Sequence, residues 1–356
     1  MKQYIADCRA LLIGSLPQRD HQEAVDLIFE HTPEIPIWPQ LPCYRNEGMM
    51  LQFIGGLPGV TEKDDKVFVN TAAPDFEAEF LAFYEEYIAV TEGLTGIDES
   101  RFAMTDTDAA GFGLFLAKAG WEKDGLYGLK GQVTGPVTFC MGVVDQDGRA
   151  LFYDEQMRDA AVKLLALKAR YQTGKMAALT EQPLLFFDEP GLAGFGSSAF
   201  ITVTADEIIA CFTEVFAAVR AEGGLTGVHV CANTEWSLIF DSGVDVVSYD
   251  AYGYFDKLLL FSDALVSFMN RGGILATGIV PTDPEFIEKE NCDGLVARWF
   301  AQLDQLENLG LSREQVFRQT LITPSCGTGT ATEAQTRRVL ELTRDVSAAI
   351  RARFDQ

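Results

Sequence analysis

From about residue 128 onward, short runs of β-forming residues alternate with amphipathic segments, and this alternation limits the possible folds more than any other feature. The β-rich runs cover residues 128–134, 184–188, 227–232, 245–251, 273–280 and 317–325. The helical segments, with apolar residues at i, i+3 and i+4, cover residues 157–179, 205–221, 255–270, 295–309 and 332–353. Strands that alternate with helices in this way predict a parallel sheet.

The N-terminal part of the chain extends this pattern. Two further strands are expected over residues 9–15 and 35–40, separated by a helix over 21–31. Eight strands with intervening helices predict an α/β protein with a (β/α)₈ TIM barrel. Residues 41–126 are too many for a plain connection, so we expect an insertion after the second strand that forms a cap over the barrel mouth. The whole chain, 1–356, is expected to be a single catalytic barrel.

Charge and composition exclude several classes of partner. The chain has 28 Lys and Arg against 52 Asp and Glu, which gives a net charge of −24. Such a surface repels phosphate backbones and anionic lipids, so neither nucleic acid nor a membrane is an expected partner. Without an apparent signal peptide or a long apolar run, the protein is expected in the cytoplasm. Its seven scattered cysteines do not indicate a disulfide framework.

Residues that can bind a metal occur where the predicted strands end, and barrel active sites lie at that face. His229 and Cys231 are two positions apart on the fifth strand, so their side chains share one face, and Cys326 follows the last strand. Imidazole and thiolate suit zinc, and three protein ligands with an open position are typical of catalytic zinc. Asp250, after the sixth strand, is expected at the fourth position. For His-x-Cys alone, a buried cysteine beside a core histidine remains the alternative.

Five short motifs in order resemble one known family. They are residues 13–18 (Ile-Gly-Ser-Leu-Pro-Gln), 134–138 (Thr-Gly-Pro-Val-Thr), 188–190 (Asp-Glu-Pro), 229–231 (His-Val-Cys) and 326–327 (Cys-Gly). Together they resemble the C-terminal catalytic barrel of cobalamin-independent methionine synthase, in the superfamily that includes uroporphyrinogen decarboxylase and corrinoid-dependent methyltransferases. The resemblance implies a Zn²⁺-dependent methyltransferase that moves a methyl group to a small, homocysteine-like thiol.

The same resemblance assigns the metal ligands. It implies that His229, Cys231 and Cys326 bind zinc and take part in catalysis. The family has a glutamate about twenty residues after its His-x-Cys motif, and that position falls on or near Asp250, a shorter carboxylate.

The substrate contacts are also implied by the resemblance. The main chain at Ser15 would hold the acceptor's carboxylate, and Asp188 would hold its amino group. The alternatives are that Ser15 caps the first helix and that Asp188 caps the turn after its strand. Glu189 is expected either to pair with the substrate amine or to hydrogen-bond a neighbouring loop.

The expected methyl donor follows from a departure from the family. Residues 280–283 (Val-Pro-Thr-Asp) stand where the family has a histidine that assists the folate donor. We therefore expect a methylcorrinoid, free or held by a corrinoid protein, rather than folate. Aromatic and amide side chains between Trp38 and Gln52 are expected to shape the donor pocket, with plain packing as the alternative. Two other functions remain open: a uroporphyrinogen-decarboxylase-like enzyme and a non-catalytic protein that binds zinc or a corrinoid partner.

Overall fold

A six-stranded parallel sheet forms the centre of the computed structural model, which describes residues 4–196, 200 and 202–354. The strands are β1 (Val60–Lys63), β2 (Lys66–Val69), β3 (Leu129–Thr134), β4 (Pro183–Asp188), β5 (Leu225–Val230), β6 (Val246–Tyr249), β7 (Ile274–Val280) and β8 (Thr320–Pro324). Strands β3 to β8 pair in sequence order, each parallel to the next, and β1 and β2 form a separate antiparallel hairpin. The six parallel strands correspond to the six β-rich runs predicted after residue 128.

The two N-terminal segments differ from the prediction of eight regular strands. Within the described residues they form isolated parallel bridges instead: Ala10 with Ile322, Ser15 with Gln40, and Ile37 with Lys130. The fold is therefore a curled six-stranded sheet that is consistent with a TIM-like barrel, without eight regular strands. The second segment contains Pro36 and Pro39, and proline has no N–H to donate to a strand ladder. A regular strand is thus unfavourable there.

The helices lie between the strands, as the periodicity predicts. They are α1 (His21–His31), α2 (Leu51–Ile54), α3 (Phe76–Thr91), α4 (Ala110–Trp121), α5 (Pro136–Gly142), α6 (Glu155–Ala177), α7 (Ala205–Ala221), α8 (Trp236–Asp241), α9 (Ala251–Leu258), α10 (Ser262–Asn270), α11 (Pro284–Ile287), α12 (Cys292–Asn308), α13 (Arg313–Arg318) and α14 (Glu333–Phe354). The single helix expected over 255–270 is two helices, α9 and α10. No helix in the described ranges combines the length and apolarity that a membrane span requires.

The insertion contributes α3, which packs against the outer side of α6. Tyr84 on α3 donates a hydrogen bond to Asp159 on α6 at 2.6 Å. Tyr87 donates at 3.5 Å to Glu214 on α7. Helix α3 of the insertion is therefore attached to α6 and α7, whereas residues near the start of the insertion approach the strand ends described next.

Candidate metal centre

Two strand ends bring together the three residues that the sequence marks as zinc ligands. His229 lies near the end of β5, Cys231 directly follows that strand, and Cys326 follows β8. One donor atom from each lies within 4.8 Å of the other two. The imidazole is buried and the two cysteines are half-buried. Tetrahedral zinc bonds of about 2.0–2.3 Å place neighbouring donor atoms roughly 3.5–3.8 Å apart, so at most a small inward shift of these side chains would let the three atoms share one ion.

The hydrogen bonding of His229 fits a metal ligand. Its Nδ1 lies 2.9 Å from the Ser248 hydroxyl. Its Nε2 is buried and has no hydrogen-bond partner among the residues that the structure describes. A buried nitrogen without a partner is costly, and a metal ion between it and the two sulfurs would remove that cost. The residues present therefore fit zinc.

The two cysteines influence each other strongly. The Cys326 thiol, helped by the His229 imidazole, lowers the pKa of the Cys231 thiol to about 4. The Cys231 sulfur, together with burial, raises the pKa of the Cys326 thiol well above its usual range. The pair thus readily loses one proton and resists losing the second, since two adjacent thiolates repel. A bound cation would stabilise the doubly deprotonated pair.

Asp250 does not join this group of donor atoms in the structure. It is the N-cap residue of α9, and its carboxylate accepts a hydrogen bond from the Gly253 amide at 2.7 Å. Burial raises the pKa of the Asp250 carboxyl above its ordinary value. In this conformation the Asp250 carboxylate is therefore not positioned to bind the expected metal ion. The residue does follow β6, the strand next to the one that carries His229.

A cavity of about 240 Å³ opens next to the three donor atoms. Its lining combines predicted site residues with residues from the start of the insertion. The lining residues are Ile13, Ser15, Gln40, Pro42, Glu47, Met49, Thr134, Asp188, Pro190, His229, Cys231, Cys326 and Gly327. Neither arginine nor lysine is among them, so the wall offers carboxylates, neutral polar groups and apolar side chains.

Asp188 lines this cavity, and the residue as a whole is only 7% exposed. Within the described part of the chain its Oδ1 has no hydrogen-bond partner, so that oxygen does not cap the following turn. Burial raises the pKa of the Asp188 carboxyl, and the Lys130 ammonium opposes that rise. Lys130 is a fully buried residue of β3 that the sequence reasoning missed, and it donates to the Ile13 carbonyl at 2.5 Å. The sequence signal that could have identified it is a lysine within a predicted strand that is otherwise apolar or neutral, residues 129–134.

Ser15 also lines the cavity, beside Gly327. Its hydroxyl accepts a hydrogen bond from the Gly329 amide at 3.3 Å. It does not cap α1, because Asp20 accepts the Glu23 amide there at 2.8 Å. The structure thus removes the capping alternative for Ser15.

Glu189 does not line the cavity and is fully buried. Its two carboxylate oxygens accept hydrogen bonds from the Val137 amide at 2.9 Å and from the Thr138 amide and hydroxyl at 2.7 and 2.6 Å. Burial raises the pKa of Glu189 to about 7, although these hydrogen bonds oppose the rise. Of the two roles expected for Glu189, its contacts are nearer to a hydrogen bond with a neighbouring segment, but that segment is the start of α5 rather than a loop.

Glu47 is a lining residue that sequence reasoning did not single out. It is buried, it lies 2.5 Å from Nε2 of His21, and it accepts the Leu41 amide at 2.8 Å. No local pattern marks it, because its position depends on how the inserted chain returns to the barrel. From the proposed donor stretch, Gln40 and Met49 also line the cavity, whereas Trp38 is buried in packing and donates to Gln172 at 3.0 Å.

Comparisons with known proteins give a likeness in fold. No protein-family model matches the chain, and no curated protein sequence matches it. A methyltransferase from Methanosarcina mazei is similar over 98% of this chain and 95% of its own, with a TM-score of 0.53 and 14% identity. A B12-independent methionine synthase from Shewanella sp. W3-18-1 is 16% identical over 67% of each chain, with a TM-score of 0.45. At such identities, the first likeness shows that this chain shares the fold of a methyltransferase.

Proposed function

We propose that this protein is a zinc-dependent methyltransferase that transfers a methyl group to a small thiol, with homocysteine as the expected acceptor. The observation that supports it most is the convergence of His229, Cys231 and Cys326 within 4.8 Å beside a cavity. The fold likeness to a methyltransferase agrees with this proposal, although a fold alone does not determine an activity.

In the proposed site, His229, Cys231 and Cys326 would hold the zinc ion. Bound zinc supplies a Lewis acid that keeps a coordinated thiol deprotonated at neutral pH. Asp250 remains a proposed fourth ligand, and ligation would require its carboxylate to turn away from the Gly253 amide that it now accepts.

The other cavity residues would bind and orient the acceptor. Asp188 presents a buried carboxylate oxygen that has no hydrogen-bond partner among the described residues, which suits an ammonium group, and Ser15 lines the same cavity. The apolar side chains of Ile13 and Met49 in the wall would exclude water from the reacting atoms. Holding acceptor and donor in near-attack geometry supplies a large part of the rate in such reactions. The donor is proposed to be a methylcorrinoid.

The cavity wall argues against a uroporphyrinogen-decarboxylase-like function. An enzyme for a substrate with many carboxylates needs cationic side chains, and the lining residues include neither arginine nor lysine. A non-catalytic zinc protein with the same ligands would bind zinc without turnover, so an activity measurement separates it from the proposed enzyme.

X-ray absorption at the zinc edge tests the proposal, before and after homocysteine is added to purified protein. We expect about one zinc per chain bound by nitrogen and sulfur, and a new zinc–sulfur contact at about 2.3 Å when homocysteine binds. An unchanged coordination shell would reject homocysteine as the acceptor. Incubation with methylcobalamin and homocysteine, followed by methionine detection, then tests the donor. Zinc binding without methionine would contradict the corrinoid donor or the catalytic role.

A further inference from the structure

The Ser248 hydroxyl lies within hydrogen-bond distance of the ring of the candidate ligand His229. Ser248 lies in the middle of β6 and is fully buried. The parallel ladder pairs His229 of β5 directly with Ser248, and the imidazole Nδ1 lies 2.9 Å from the serine hydroxyl. On its other side Ser248 pairs with Ala276 of β7, a small residue. The strand register itself therefore places the hydroxyl beside Nδ1.

This contact decides which nitrogen of His229 can bind a metal. A neutral imidazole carries one N–H and one lone pair, and the partner of one nitrogen determines the state of the other. If the serine donated to Nδ1, the proton would lie on Nε2, which is buried and for which the described residues provide no hydrogen-bond partner. If Nδ1–H donates to the serine, the Nε2 lone pair is free to face the two cysteine sulfurs.

We infer that Ser248 is a positioning residue that holds His229 as the Nδ1–H tautomer and directs its Nε2 lone pair at the position shared by Cys231 and Cys326. The inference rests on the metal-binding part of the proposed function and not on methyl transfer. Such hydrogen bonds to metal-bound histidines fix the ring and raise its basicity, and their loss typically weakens metal binding about 10–100-fold.

The competing explanation is that Ser248 only satisfies a buried ring nitrogen. A purely structural bond would change the stability of the protein when it is removed, but it would not change zinc affinity selectively. Zinc affinity and the position of the ring proton therefore separate the two explanations.

Zinc affinity of three variants, measured by competition with a chromophoric chelator, is the first test. Ser248→Ala should bind zinc about 10–100-fold more weakly than wild type, and Ser248→Thr, which keeps the hydroxyl, should recover most of that loss. Ser347→Ala is the matched control, because this buried serine bonds the Cys8 carbonyl at 2.7 Å, outside the candidate site. It should bind zinc like wild type.

Nitrogen NMR on protein with ¹⁵N-labelled histidine is the second test, and it uses wild type, so it does not depend on any variant folding. The chain has 3 histidines, and His31, whose Nδ1 lies 2.8 Å from the Leu27 carbonyl, serves as an internal reference. Zinc-loaded protein should show His229 protonated at Nδ1 and metal-bound at Nε2.

Two results would overturn the inference. One is wild-type zinc affinity in folded Ser248→Ala, and the other is a proton on Nε2 of His229 in the zinc-loaded protein. Tight zinc binding with the expected tautomer but without methyl transfer would reject the proposed function and leave the role of Ser248 intact.

Discussion

At the scale of single residues, the chemistry depends on side chains that the strand ends present to one cavity. Of the residues assigned from the sequence, Ser15, Asp188, His229, Cys231 and Cys326 all line that cavity. The positions of His229, Cys231 and Cys326 at predicted strand ends made them recognisable as metal ligands, whereas Ser15 and Asp188 were assigned through the family resemblance. Glu189, by contrast, satisfies the start of α5, since its two oxygens meet backbone amides there.

Cys326→Ala tests whether the metal is catalytic or structural. We expect zinc content to fall well below one per chain, because one of three clustered donors is lost. The half-buried residue lies in a bend after β8, so the free energy of unfolding of metal-free protein should change by only about 1 kcal/mol or less. Metal analysis and urea unfolding measure the two effects.

The control is Cys292→Ala, which removes a half-buried cysteine outside the cluster, and this variant should bind as much zinc as wild type. A Cys326→Ala chain that no longer folds would point to a structural zinc.

Asp188→Asn tests the proposed anchor for the acceptor's ammonium group. Loss of one charge-assisted hydrogen bond, about 1.5–3 kcal/mol, should weaken homocysteine binding about 10–100-fold. Binding of γ-mercaptobutyrate, which lacks the amino group, should change little. Titration calorimetry on zinc-loaded protein compares the two thiols. The control is Asp283→Asn. Asp283 is an exposed N-cap residue of α11, a position that asparagine also occupies well, so this variant should bind both thiols like wild type. Equal weakening for both thiols would contradict the assignment.

At the scale of elements, the predicted helices and strands after residue 128 are present, and the N-terminal segments differ. Helices α1 and α7 begin and end where the sequence analysis places them. The second N-terminal segment forms isolated β-bridges rather than a continuous strand, because its two prolines have no N–H to donate to a neighbouring strand. Sequence alone predicts an extended segment there, but not the number of hydrogen bonds it makes with its neighbours.

The long helix α6 contains a buried lysine whose charge should reduce stability. Lys168 is 1% exposed, and burial lowers its pKa to about 8, against an opposing effect of Asp108. The unfolded chain binds its proton more tightly than the folded chain, so the folded state is penalised at neutral pH. Lys168→Met should raise the free energy of unfolding by about 1–3 kcal/mol at pH 7.

The pH dependence of this gain distinguishes the mechanism. The difference between Lys168→Met and wild type should shrink as pH rises from about 8 towards about 10.4, the ordinary lysine pKa, because wild type loses the same charge. Urea unfolding at several pH values measures it. Lys163→Met is the control on the same helix. Burial lowers the pKa of Lys163, but its hydrogen bonds with Asp159 and Glu214 outweigh burial and raise it. Replacing this lysine should therefore lower the free energy of unfolding, by up to about 1 kcal/mol. A gain that is independent of pH would contradict the charge argument.

At the scale of the whole molecule, the net charge of −24 acts on every part of the fold. Like charges repel across the compact state, and salt screens that repulsion over about 10 Å at 0.1 M. The same charge makes binding to a phosphate backbone unfavourable.

Raising sodium chloride from about 0.05 to about 0.5 M at pH 7 should therefore increase the free energy of unfolding, on the order of 1 kcal/mol. Thermal or urea unfolding across this range measures the effect. At an acidic pH where the net charge is close to zero, the increase should disappear. An equal increase at both pH values would indicate that salt acts through apolar burial instead.

The sequence by itself determined the alternation of β-rich and helical segments, the buried strands β3, β4 and β7, and the residue types at their ends. These follow from local periodicity and from the chemistry of single side chains. Only the tertiary structure decided that the ends of β5 and β8 meet, that Ser248 faces Nδ1 of His229, and that Glu47 joins the cavity wall. These contacts join residues far apart in the chain, and their distances depend on the curl and register of the whole sheet, which no local pattern encodes.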